Sequence, residues 1–138
     1  MRKAAFVLFI TLSLTLTAQD NKQDNPIDKR LKHCLDSTQS TTLSMIECTY
    51  QAYTEWDQEL NKYYKLLLKE FGESQSSVLL KSAQISWLSY RDKEFGLIDK
   101  IYDNDGTMWG PIRVNRRMEI VRSRALELKE YYEIMTMH

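Results

Sequence analysis

The sequence predicts an all-α fold, an antiparallel three-helix bundle stabilised by one disulfide. Three observations carry this reading. Apolar residues recur at alternating steps of three and four through three long segments, the spacing of one helical face. Only four Gly and two Pro interrupt 138 residues, whereas Leu, Lys, Glu, Tyr and Met abound, a composition that favours helices. Two cysteines, Cys34 and Cys48, lie fourteen positions apart behind an export-type leader.

The leader comes first. Arg2 and Lys3 make a positive start, residues 4–16 form an apolar run, and Ala18 is a small residue suited to cleavage, the pattern of a secretory signal. The run is too short to cross the ~30 Å hydrocarbon core of a bilayer as a helix. The expected product is periplasmic or secreted, with no stable membrane insertion after cleavage. Residues 19–33 are polar, include Pro26, and read as a flexible lead-in. Residues 34–138 form the helical domain. The full chain carries 19 basic and 19 acidic residues. Loss of Arg2 and Lys3 leaves 17 against 19, a balance of −2. That is no footprint for nucleic acid. An oxidising compartment pairs Cys34 with Cys48, and closing such a loop stabilises by ~3 kcal/mol. The alternative, a zinc site, is poorly supplied: His33 is the one histidine nearby, and His138 ends the chain. No metal or cofactor is expected.

The first long helix is expected to begin near Thr41 or Thr42, or at Ser44, where Ser44 and Glu47 have capping-box spacing. Its apolar stripe is Leu43, Ile46, Tyr50, Tyr53, Asp57, Leu60, Tyr64, Leu67 and Phe71, and Gly72 terminates it. The second spans residues 74–102, with Leu80, Ala83, Trp87, Tyr90, Glu94, Leu97 and Ile101 on its stripe. The segment Asp103-Asn104-Asp105-Gly106 breaks it. The third starts between Pro111 and Arg113 and carries Val114, Met118, Val121, Ala125, Leu128, Tyr132 and Met135. Short connections between amphipathic helices imply an antiparallel bundle.

Several residues depart from a plain bundle. Asp57 stands on an apolar stripe, and a carboxylate there must be paired or reach water. Arg91 on the neighbouring helix is its expected partner, because a guanidinium fork suits a carboxylate. The pair reads either as a register-fixing ion pair or as the polar floor of a ligand groove. Most aromatics at helical spacing are core. Trp56 and Tyr63 fall off the stripe and are expected on the surface, where aromatics anchor interfaces. The acidic segment before Gly106 fails as a calcium loop, since Ile101 and Ile112 would occupy ligand positions. It reads as a turn. With Trp109, its Asp103 and Asp105 could also project into a partner's cleft. Arg113, Arg116, Arg117, Arg122 and Arg124 form a basic cluster, either a solvated face with several Glu as partners or a site for an anionic polymer or membrane surface, which the net charge disfavours. No nucleophile-base pair, HExxH motif or phosphate loop is present in the sequence. No catalytic residues are assigned.

Taken together, Cys34, Thr42, Met45, Cys48, Asp57, Leu60-Asn61 and Tyr64, followed by Ala83-Gln84, Trp87 and Tyr90-Arg91-Asp92, resemble the LprI-type lysozyme inhibitor domain. The resemblance runs from about Cys34 to Leu128. It implies an exported, helical, disulfide-stabilised protein that inhibits lysozyme-type peptidoglycan hydrolases rather than an enzyme. Members of that family often carry a second disulfide, where this chain has Phe95 and no cysteine near Arg116. The expected mode is occlusion of the hydrolase cleft by the loop bearing Asp103, Asp105 and Trp109. The alternatives are an assembly adaptor binding another envelope protein through Trp56 and Tyr63, and a weak peptidoglycan-acting enzyme using Asp57 and Glu94.

Overall fold

The computed structural model describes residues 25–38 and 41–137. The expected signal at 1–18, and residues 19–24 of the lead-in, lie outside them. Four helices follow in order: α1 (Pro26–Ser37), α2 (Thr42–Phe71), α3 (Gln75–Ile101) and α4 (Trp109–Thr136). The expectation of three helices is corrected by α1, and residues 26–33 are helical rather than a flexible lead-in. The local reasons are clear. The Asn25 side chain accepts from the Ile27 amide at 2.9 Å, Pro26 opens the first turn, and Asp28 follows it. These are favoured helix-start residues. Ile27 is buried, and Leu31 one turn later packs on the same core.

Thr41 caps α2 by accepting from the Ser44 amide at 3.1 Å. Gly72 ends α2 at φ +57° with its N–H donated to the Leu68 carbonyl, a left-handed position that favours glycine. Ser74 caps α3. The disulfide joins Cys34 of α1 to Cys48 of α2, with Cα atoms 5.8 Å apart.

The helices run in alternating directions. Arg30 pairs with Glu55, and Cys34 bonds Cys48, so α1 is antiparallel to α2. Along α2 and α4 the contacts rise together: Ile46 meets Gly110, Trp56 meets Arg122, and Tyr63 meets Tyr132. These two helices are therefore parallel. A Cβ added at Gly110 would lie 3.0 Å from Ile46 Cδ1, so glycine permits the close approach at this end. Between them α3 returns: Tyr53 meets Phe95, and Gln84 meets Arg124. The core draws Ala52, Trp56, Leu60 and Leu67 from α2, and Met118, Val121, Ala125 and Leu128 from α4. Ile27 and Leu80 complete it.

Two stripes are corrected. On α2 the inward face is Cys48, Thr49, Ala52, Trp56, Leu60 and Leu67. Leu60 and Leu67 of the expected stripe are buried and Tyr53, Tyr64 and Phe71 pack beside them, whereas Leu43 and Tyr50 are exposed. Trp56 is 1% exposed, so its expected surface position is wrong. The reason is that α1 and α4 both cover this side of α2, and the Arg122 guanidinium lies 5.2 Å from the Trp56 ring centre. On α3, Tyr90, Leu97 and Ile101 are exposed. This helix reaches the core through Leu80, with Trp87 and Phe95 packed against it, and much of its outer face stays exposed, leaving a groove on each side.

Candidate functional site

The groove between α2 and α3 gathers most of the sequence signature. Its lining includes Asp57, Asn61 and Tyr64 from α2, and Gln84, Trp87 and Arg91 from α3. Buried Leu60 adds apolar floor. These residues meet because each set repeats at three- and four-residue steps, which puts it along one helical edge. The cleft measures about 490 Å³, within the range of small-ligand sites.

Its polar groups are only partly used internally. Asn61 Nδ2 donates to the Asp57 carbonyl at 2.8 Å and to Asp57 Oδ2 at 3.2 Å. The expected Asp57–Arg91 ion pair is not formed. Arg91 donates instead to Asp92 Oδ1, through Nη2 at 2.7 Å and Nε at 2.9 Å. Its guanidinium also lies 5.5 Å from the Trp87 ring centre and 5.8 Å from that of Phe95. The adjacent carboxylate and the two rings hold the fork along its own helix. Asp57 and Arg91 are thus walls of one cleft rather than a bridge across it. The Tyr53 hydroxyl has its pKa raised, first by burial and then by the Asp57 carboxylate, while Arg91 opposes the shift. Gln84 is 7% exposed, and its Oε1 accepts from Arg124 Nε at 3.1 Å.

On the far side of α3, a groove of about 660 Å³ is lined by Trp87, Tyr90, Glu94 and Ile101 together with Arg116 and Glu119 of α4. Trp87 contributes to both grooves. Tyr90 and Asp92 of the signature are exposed. The arginine cluster is largely consumed within the fold. Arg117 pairs with Asp99, Arg122 with Asp28 at 2.7 Å, and Arg124 with Gln84 and Glu127. The sequence marks Arg122 only as one of the basic cluster, a solvated face, yet it is buried, and its partner Asp28 was not singled out in the sequence. The signal for their pairing was an acidic residue just after Asn25-Pro26 and a basic residue adjoining the apolar stripe.

The connection between α3 and α4 exposes Asp103 and Asp105. Neither makes an ion pair or hydrogen bond among the described residues. Asn104 Nδ2 donates to the Ile101 carbonyl at 3.2 Å. Trp109 opens α4 half-buried, with its ring centre 5.9 Å from that of Tyr102. Gly106 turns the chain at φ +122°. Tyr63 is half-buried, 5.9 Å from Tyr132 with the Lys62 ammonium 4.8 Å from its ring centre. Among the described residues, no cluster of three His, Cys, Asp or Glu could hold a metal ion. No helix among them is long and apolar enough to cross a membrane.

A protein of Rhizobium meliloti (strain 1021), of uncharacterised function, is 32% identical over 146 aligned positions, covering 96% of this chain and 97% of its own. A crystal structure of an uncharacterised protein from Burkholderia thailandensis superposes with a TM-score of 0.73 at 28% identity. That match covers 80% of this chain and 55% of the other, so the chain spans about half the length of that solved protein. Residues 34–128 match the family described as Lysozyme inhibitor LprI. With that span and the signature it contains, the chain belongs to the LprI lysozyme inhibitor family.

Proposed function

We propose that this protein is an exported envelope inhibitor of a lysozyme-type peptidoglycan hydrolase, and that it acts as a binding protein rather than an enzyme. The observation that carries the reading is the family match over residues 34–128. The Cys34–Cys48 bridge supports an oxidising compartment. The contact we assign is the loop between α3 and α4. Asp103 and Asp105 are exposed there without partners among the described residues, and the Tyr102–Trp109 ring contact restrains the base of the loop. Exposed carboxylates steer and orient a basic hydrolase, and a restrained loop loses less entropy on binding. The adaptor reading loses Trp56 as an anchor, because that ring is buried.

The test titrates the oxidised protein into a lysozyme assay on bacterial cell walls, with binding followed by calorimetry. Saturable inhibition with a matching binding isotherm is expected. The double substitution D103N/D105N is expected to weaken inhibition about tenfold, with a smaller effect at high salt. Full inhibition by that variant would remove the loop from the interface. Absence of both binding and inhibition would remove lysozyme as the target.

A further inference from the structure

The α2–α3 cleft lies apart from the loop assigned to the hydrolase, and Gln84 lines it. Gln84 as a whole is 7% exposed. Arg124 approaches with Nε at 3.1 Å, and arginine can only donate. The amide oxygen must therefore face Arg124, which leaves the NH2 of Gln84 for the cleft that this residue lines. That NH2 has no partner among the described residues. The NH2 is not fully enclosed, so it reaches the cleft and is open to an acceptor there.

The other walls narrow the chemistry. Asn61 spends its NH2 on Asp57, so its side-chain oxygen remains an acceptor beside the Asp57 carboxylate. Lys81 and Tyr64 add donors. Arg91 is already neutralised by Asp92. The cleft thus offers both donors and acceptors, with no excess of one charge. Trp87, Tyr64 and Leu60 supply apolar surface between them. A lipid would strand these polar groups, and an anion would meet Asp57. A saccharide ring has the matching character: apolar C–H faces, and a rim of hydroxyls that both donate and accept. An acetamido substituent adds an amide carbonyl for the Gln84 NH2 and an N–H for Asp57.

We propose that the α2–α3 cleft binds a neutral glycan bearing acetamido groups, held by Asp57, Asn61 and Gln84 against Trp87. The site would place an envelope inhibitor on a glycan surface, independently of the loop that meets the hydrolase. The probe is the soluble trimer of β-1,4-linked N-acetylglucosamine, titrated into the oxidised protein while tryptophan fluorescence and heat are followed. Saturable binding is expected. The decisive variant is Q84E. It keeps the oxygen that Arg124 requires but places a second oxygen where the cleft needs a donor. It is expected to leave helicity and melting intact and to weaken binding about tenfold or more. Q84E binding the trimer like the parent would overturn the proposal, as would no binding up to about 10 mM trimer. Binding of short cell-wall peptides but not of the trimer would also overturn it. The two sites fail separately: D103N/D105N keeps glycan binding, and Q84E keeps hydrolase inhibition.

Discussion

The Asp28 carboxylate accepts from Arg122 Nε at 3.0 Å and from Nη2 at 2.7 Å, and the same guanidinium covers the Trp56 ring. This cluster ties α1, α2 and α4 together from residues 94 positions apart. Removing Asp28 takes away the closest carboxylate from a buried guanidinium that keeps Glu119 at 3.9 Å. Asp28→Ala should therefore cost about 3 kcal/mol, the low end for such pairs because Asp28 is partly exposed and Arg122 keeps Glu119 nearby. Urea unfolding checks this, and a loss below about 1 kcal/mol would show that the pair is dispensable. Tyr53 gives a pH prediction. Its folded pKa is raised by burial and by the Asp57 carboxylate, so the folded state favours the neutral phenol. Its stabilising contribution is full below the unfolded value near ~10 and is lost as pH rises through the folded value. Melting temperatures at pH 9 and pH 11 should differ less for Tyr53→Phe than for the parent. An unchanged difference would show that Tyr53 does not couple folding to pH. None of this was visible in the stripe through Tyr53 and Asp57, because periodicity names a face without naming the charges that will oppose it.

At the scale of elements, boundaries were largely legible. Thr41, Gly72 and Ser74 act locally, through their own side chains or backbone angles, and the structure places each where the sequence suggested. α4 starts at Trp109, two residues before Pro111. Proline is tolerated there because first-turn amides have no intrahelical acceptor. α1 was missed because its polar composition outweighed Asn25-Pro26 and the Ile27/Leu31 spacing. The close approach of α2 and α4 makes Gly110 a test of packing. Gly110→Val would drive methyl groups toward Ile46 Cδ1, already 3.0 Å from an added Cβ. It should destabilise by about 1–3 kcal/mol despite a gain in helix propensity. A variant that melts at or above the parent temperature would show that Ile46 simply swings aside.

At the scale of the whole molecule, α2 and α4 form the packed pair, α1 is stapled to α2, and α3 is the outlier. Its exposed Val78, Leu79, Ile85, Leu97 and Ile101 mean that little apolar area holds it down, and local stability follows such contacts. Hydrogen exchange should therefore be faster in the middle of α3 than in the central turns of α2 and α4. Equal protection of all three would mean that the molecule opens as one unit. The same stand-off creates the grooves on either side of α3, so the candidate sites exist because this helix is not fully absorbed into the core.

By itself the sequence determined the helical class, most helix ends, the Cys34–Cys48 bridge and the signature that marks the family. Each depends on neighbours close along the chain: a cap, a turn, a 3.6-residue period, or two cysteines a short loop apart. The tertiary structure alone decided that Trp56 turns inward, that Arg91 prefers Asp92 to Asp57, and that Arg122 is spent on Asp28. It also decided that the signature residues of α2 and α3 line a cleft instead of closing on each other. These outcomes depend on which helices compete to cover a face. That competition is settled only when α1 and α4 pack against the same side of α2, leaving α3 at a distance.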